Sequence, residues 1–334
     1  MKQFTGLLFM LAATMVLLTS CNGSSGFFTA TGATNEVLVV MDDAEWEAPM
    51  GRALFDVLNS NVKAIPQVEP NFRIVHVSPD NYTSTLKMAR NIVIPNVSNI
   101  YSKPSLSSEI DQYAIGQVIL KINAPDSASF TQFVRENKES IVDYIVKKEL
   151  ERQAAWLMET IKSPVVRVQQ KFGVNITFPR GLVNFSEADN FFWATNNSPR
   201  GREDIVVYQF PYRSESVFER DSLIKIRDEV MGKHITGSFG SNMSTAKVYV
   251  PDYKRIEYNG LFRAELRGLW EMTTDMMGGP FVMHAFVNEN TGMVVVVETF
   301  VYAPEMKKRN LMRNLEAVLY TISIPEPDSV EVTA

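Results

Sequence analysis

Cysteine is almost missing: the 334 residues hold one, Cys21. No internal disulfide can form, so an apolar core must hold the fold. Histidine is nearly as scarce, and His76, His234 and His284 stand in no HExxH or related spacing. That leaves no zinc motif. GxSxG, GxGxxG and CxxC are also missing, which removes the motif-based grounds for a nucleophile-elbow hydrolase, a dinucleotide fold or a thiol redox centre. Basic residues are not in excess: 33 Lys and Arg face 38 Asp and Glu, for a net charge of −5. Their scatter forms no stripe for nucleic acid. The stretch "GKHITGSFGS", Gly232 to Ser241, has Gly-Lys at its start, after a helix, whereas a Walker loop ends in Gly-Lys-Ser/Thr. Gly232 therefore reads as a helix C-cap. No cofactor is expected.

The chain opens with Lys2 and an apolar stretch, about residues 6–18, too short to span a bilayer, which takes about 20 residues. A basic start, a short apolar core and small residues at its end describe a signal peptide over residues 1–20. Leu18, Thr19, Ser20 and Cys21 resemble the lipobox of bacterial lipoproteins. That resemblance implies cleavage before Cys21, diacylglycerol on its sulfur and acylation of the new amino terminus. An ordinary signal peptide cut nearby would instead leave a free thiol. Residues 21–34, with their Gly, Ser and Thr, read as a lipidated flexible tether. Asn22 is not the Asp of inner-membrane retention, and no acidic residue precedes Glu36. The expected address is the outer membrane, on its periplasmic face.

The mature chain is apolar enough to bury a large core, 45% overall. Glu36 to Asp43, "EVLVVMDD", has the continuous apolar run of a buried strand. A helix is expected over residues 44–59, strands over 72–77 and 91–97, and a helix over "SPDNYTSTLKMA" between them. Three units of two strands and a helix then recur: "NIVIPNV" with "QVILKINAP", "NFFWATNN" with "EDIVVYQFPY", and "GPFVMHAFVNENTG" with "MVVVVETFVYAP". Asn288 to Gly292 has hairpin-turn chemistry. The recurrence fits duplication or simply the commonness of such units. A long helix over about 140–161 places Ile141, Ile145, Ala154, Leu157 and Ile161 on one face and ends at Ser163-Pro164. The expected fold is α+β, with mixed or antiparallel sheets packed by helices, in two lobes: 35–163 and 164–324, with a disordered tail at 325–334.

With the lipobox, "VLVVMDDAEW", "FFWATNN" and "GLWEMTTDMMGGPFVMH" in place, the chain resembles a Bacteroidetes lipoprotein family that carries domain of unknown function 4837. The resemblance spans nearly the whole mature chain and implies an exported, lipid-anchored protein. It carries over no catalytic residue.

Asp42 and Asp43 stand at the carboxyl end of the first strand, where open α/β sheets place ligands. They also suit a helix cap, one carboxylate accepting from the N–H groups before Glu45 and Trp46. Trp270, Glu271, Thr274 and Asp275, in a Thr-rich stretch ahead of Gly-Gly-Pro, are candidate pocket residues beside them. Asp126-Ser127-Ala128, Asp221-Ser222-Leu223 and Asp328-Ser329-Val330 resemble the acceptor triplet of Bacteroidetes periplasmic O-glycosylation. Average residue usage would give about one such triplet. The expected function is a lipid-anchored envelope component without catalysis, with the membrane and an envelope protein or glycan as partners and no nucleic acid. The alternative is an envelope hydrolase in which Asp42, Asp43 and Asp275 converge.

Overall fold

The structure is a computed structural model and describes residues 28–162 and 165–326. The signal peptide, Cys21, the Ser163-Pro164 boundary and Ser329 lie outside the described residues. Those residues contain thirteen strands and seven α-helices in an α+β arrangement built on two sheets.

The N-terminal sheet has the order β2-β1-β3-β5-β4. Its strands are β1 (Glu36–Val40), β2 (Arg73–Val77), β3 (Asn91–Val97), β4 (Ser105–Ile110) and β5 (Val118–Ala124). All pairs are parallel except β4 with β5. The first recurring unit is therefore no hairpin: β3 and β5 run parallel, and β4 supplies the antiparallel edge. Between β1 and β2 lie α1 (Asp43–Glu47) and α2 (Pro49–Leu58) rather than one helix. Pro49 has no N–H to give and suits only a first turn, so it starts α2 afresh. The helix expected after β2 is only two 3₁₀ turns, Pro79–Asn81 and Leu86–Met88; Ser, Thr and Asn there favour local turn bonds.

The C-terminal sheet is antiparallel, in the order β10-β11-β12-β13-β8-β7-β6, with β9 paired to β11. It runs from β6 (Asn184–Ala188), β7 (Phe191–Thr195) and β8 (Arg202–Pro211) to β9 (Met243–Thr245), β10 (Asp252–Tyr258) and β11 (Leu261–Met272), ending with β12 (Gly278–Asn288) and β13 (Met293–Tyr302). The second and third units are hairpins as expected. Both faces are apolar because both are covered. One packs with α5 (Val166–Phe172) and α7 (Arg309–Leu319), the other with α6 (Arg220–His234). Gly232 lies inside α6, which runs to His234 and is capped by Ile235, so it is not a C-cap. Its φ is not positive.

After α3 (Ser127–Glu136), the long helix α4 (Lys138–Ile161) belongs to both lobes. Ile141, Val142 and Ile145 enter the N-terminal core, whereas Leu150, Ala154 and Leu157 enter the C-terminal one. They do not share one face. The five-residue step from Ile145 to Leu150 turns the apolar stripe by about 140° at 3.6 residues per turn. At the switch sits Glu149, fully buried, accepting from Asn91 Nδ2 at 2.6 Å and Arg152 Nη1 at 2.7 Å.

Candidate functional site

A cleft of ≈ 380 Å³ lies between the lobes. One wall is α4, from Lys138 to Leu150; the other is β10 and β11, with Asp252, Lys254, Glu265 and Arg267. Arg313, Glu316 and Tyr320 line it from α7 and its end, and Ser60 to Lys63 close one side.

Alternation along β11 points Arg263, Glu265 and Arg267 to one face. That face is buried because α7 lies across it, and α7 answers with a polar stripe of its own, Arg309, Arg313 and Glu316, at helical spacing. Arg267 pairs with Glu316. Arg263 donates to the carbonyls of Leu319 and Ile322 at the end of α7, where a cation suits the helix dipole. Glu265 accepts from His284 Nε2 at 3.3 Å, its register partner on β12.

Polar contacts tie α7 to the N-terminal lobe, among them Arg309 Nη1 donating to Pro70 O at 2.7 Å. Glu69 reaches the start of α7, accepting from Lys308 N at 2.6 Å and Arg309 N at 3.2 Å. The helix has no side-chain cap of its own, so the other lobe supplies one. Arg313 donates to Asn71 O at 3.0 Å, Asn71 Oδ1 at 2.7 Å and Asn35 Oδ1. Asn35 Nδ2 donates to Asn310 at 3.1 Å. Nearer the surface, Lys63 pairs with Glu139 at 3.0 Å and Asp252 at 3.8 Å, and Lys254 pairs with Asp143.

Burial opposes ionisation of Glu265, but the His284 hydrogen bond and the Arg267 charge outweigh it, holding its carboxyl below the usual range. Burial also pushes the His284 imidazole down, against the pull of Glu265. These two shifts conflict, since a neutral His284 lends Glu265 no charge. The permanent charge of Arg267 is the cause that stands. Burial raises the Tyr320 phenol well above its usual value. A general acid or base works best near ambient pH, and each of these groups is driven away from it. The cleft is a wall of fixed donors and acceptors.

The candidate residues named from sequence lie elsewhere. Asp42 holds the N-cap position of α1, but its side chain makes no cap bond; its backbone carbonyl accepts from Trp46 N. Asp43 is exposed, 3.9 Å from Nδ1 of His76. His76 itself is satisfied by Met41 O at 2.8 Å and stacks on Trp46. In the other lobe, Trp270 is core, packed edge-on to Phe300 with its indole N–H on Val301 O. Glu271 pairs with Gly278 on β12. The N–H groups of Thr274 and Asp275 donate to Ser241 Oγ, and Asp275 accepts from Ser238 N at 3.1 Å. Asp42, Asp43 and Asp275 line neither this cleft nor the broader groove between Ala44–Met50 and α3. Ser127 lines that groove as the exposed first residue of α3, with Asp126 as its cap; Ser222 is half-buried in the first turn of α6. Among the described residues no group of three or more His, Cys, Asp or Glu could hold a metal.

Family models divide the chain much as the sheets do. Residues 162–321 match the domain of unknown function DUF4837. That match is to the C-terminal part of the chain, and the family is one of unknown function. Residues 30–157 match a second domain of unknown function, DUF8532. No curated protein matches the chain. Among solved structures, the Saccharomyces cerevisiae Ran-binding protein Mog1p is similar at 11% identity, over 46% of this chain and 90% of that one, with a TM-score of 0.31. A point variant of Mog1 gives 10%, 46%, 92% and 0.30. A Bacteroides thetaiotaomicron protein gives 10% identity over 46% of each chain at 0.25. Likenesses this slight carry neither fold nor function over.

Proposed function

We propose that the protein is a lipid-anchored component of the cell envelope that binds without catalysis and holds its partner, an envelope glycan or protein segment, in the cleft between the lobes. One observation carries this reading. The cleft is lined by fixed hydrogen-bonding groups: Glu265 is held below its usual range, burial raises the Tyr320 phenol, and Arg313, which burial lowers to about 10, remains a cation at neutral pH. Recognition needs such groups preorganised; acid–base turnover needs them poised. A hydrolase built on Asp42, Asp43 and Asp275 draws no support from their positions in separate lobes. The anchor is Cys21, in the outer membrane with the protein on the periplasmic side, and the expected O-glycans at Ser127, Ser222 and Ser329 follow from export.

A photo-crosslinking residue in place of Val62, on the rim of the cleft, tests the binding site in living cells. A discrete adduct is expected there and not from Val248, which is exposed outside it. The absence of any adduct specific to Val62, or a hydrolytic activity lost on Asp275→Asn, would overturn the proposal. For the anchor, Cys21→Ala is expected to release the protein to the soluble periplasm, and undiminished membrane retention refutes it.

A further inference from the structure

We propose that the surface around Phe28, Tyr113 and Ile115 is the face this protein lays against the lipid bilayer. The inference rests on the lipid anchor at Cys21 and goes beyond it by fixing which side of the fold meets the membrane. The first support is reach. An extended chain spans at most about 3.6 Å per residue, so Phe28 lies within about 25 Å of an acylated Cys21. Among the described residues, Phe28 is the one joined to the lipid by the shortest stretch of chain.

The second support is what is found there. Phe28 is 70% exposed and Ile115 52%. Their backbones are joined, Ile115 N donating to Phe28 O at 2.8 Å. Tyr113 is 42% exposed, two residues away, and Ile110, at the end of edge strand β4, is 51% exposed. Tyr113 and Ile115 ride on a loop cross-linked by its own hydrogen bonds. Asp111 Oδ1 accepts from Gly116 N at 2.6 Å and Gln117 N at 3.1 Å, and Gln117 Oε1 accepts from Tyr113 N at 3.1 Å.

The third support is charge. Lys87 Nζ stands 5.7 Å from the Tyr113 ring and 5.6 Å from the Tyr82 ring. An aromatic with a lysine beside it is the pairing that settles at headgroup depth. The nearby carboxylates are engaged, Asp111 by backbone N–H groups and Glu109 by Lys121. A second exposed apolar feature, Phe239 and Met276 on adjoining loops of the C-terminal lobe, has no such link to the anchor and serves as the control.

Since Cys21 is the only cysteine and acylation consumes its sulfur, an introduced cysteine is the only thiol a fluorophore can take. The acylated full chain carrying Ile115→Cys, labelled with bimane, is placed in vesicles with and without nitroxide-bearing lipid; Tyr113→Cys and Phe239→Cys are treated alike. Quenching at 115 and 113 but not at 239 is the expected result. No quenching at 115 or 113, with diacylglycerol present by intact mass, overturns the proposal and leaves the anchor standing. Quenching at 239 instead assigns the other face and overturns it equally. A mass equal to the bare polypeptide removes the anchor and this inference together. In the soluble Cys21→Ser protein, Phe28→Ser with Ile115→Ser is expected to weaken sedimentation with phosphatidylglycerol vesicles about tenfold; unchanged sedimentation also counts against the proposal.

Discussion

Arg313→Met tests whether the polar seam between the lobes is structural. Methionine fills most of the volume, so the change removes chiefly the guanidinium. Asn71 O, Asn71 Oδ1 and Asn35 Oδ1 then lose the donor they share, in a site where Arg313 and Asn71 are 3% and 7% exposed. A charged donor's hydrogen bond is worth about 1.5–3 kcal/mol, and removing one partner of a buried charged network costs about 3–5 kcal/mol. For a chain of this size that is a fall in Tm on the order of 10 °C. Scanning calorimetry is the assay, and the transition should also split as the lobes lose their coupling. The cycle with Asn71→Ala isolates the pair: a coupling of at least about 1 kcal/mol is expected. A single unsplit transition shifted by less than that would refute the seam as a source of stability.

Glu69→Ala strips the cap that one lobe lends the other and should cost about 1–2 kcal/mol, while Glu69→Gln keeps an acceptor and should cost less than half as much; urea unfolding measures both. His284 is held below its usual value by burial, so on acidification the unfolded chain takes up a proton the folded one refuses. Stability then falls as pH drops below about 6.5, by up to about 1.4 kcal/mol per pH unit, and Glu265 extends the loss below its ordinary range. His284→Gln should flatten the first part of that slope; an unchanged slope between pH 6.5 and 5 contradicts the assignment. Gly279→Ala would set a Cβ 2.0 Å from the Val301 carbonyl on β13, a cost of about 3 kcal/mol or more, read as lost soluble yield.

Strands were the most legible part of the chain. β1, β2 and β3 fall where "EVLVV", "RIVHV" and "NIVIPNV" put them, because β-branched runs between turn residues have few alternatives. What local pattern does not encode is pairing. Nothing in β3 or β5 says that they run parallel with β4 outside them. The face switch in α4 was hidden for a related reason: its apolar residues serve two cores, so their spacing follows neither. The cleft was invisible as a motif, since Asn71, Glu265 and Arg313 meet only in three dimensions. A signal did exist. Arg263, Glu265 and Arg267 alternate along β11, and Arg309, Arg313 and Glu316 recur at helical spacing along α7. Each alone reads as a solvated face; read together they are two charged stripes of matching length. Trp270 adjoins a polar, Thr-rich stretch in sequence, but its own place is the core.

The borrowed cap on α7 also bears on how the chain is made. Glu69 and Lys308 are 239 residues apart, and at about 5–20 residues per second the ribosome takes some tens of seconds to deliver the helix after its socket. Throughout that interval Asn35, Glu69 and Asn71 face solvent with nothing in place. Water can satisfy amides and a carboxylate, so this socket stays wet while it waits, unlike the Leu150, Ala154 and Leu157 stretch of α4. A docking face of leucine and phenylalanine would have spent the same time exposed and adhesive.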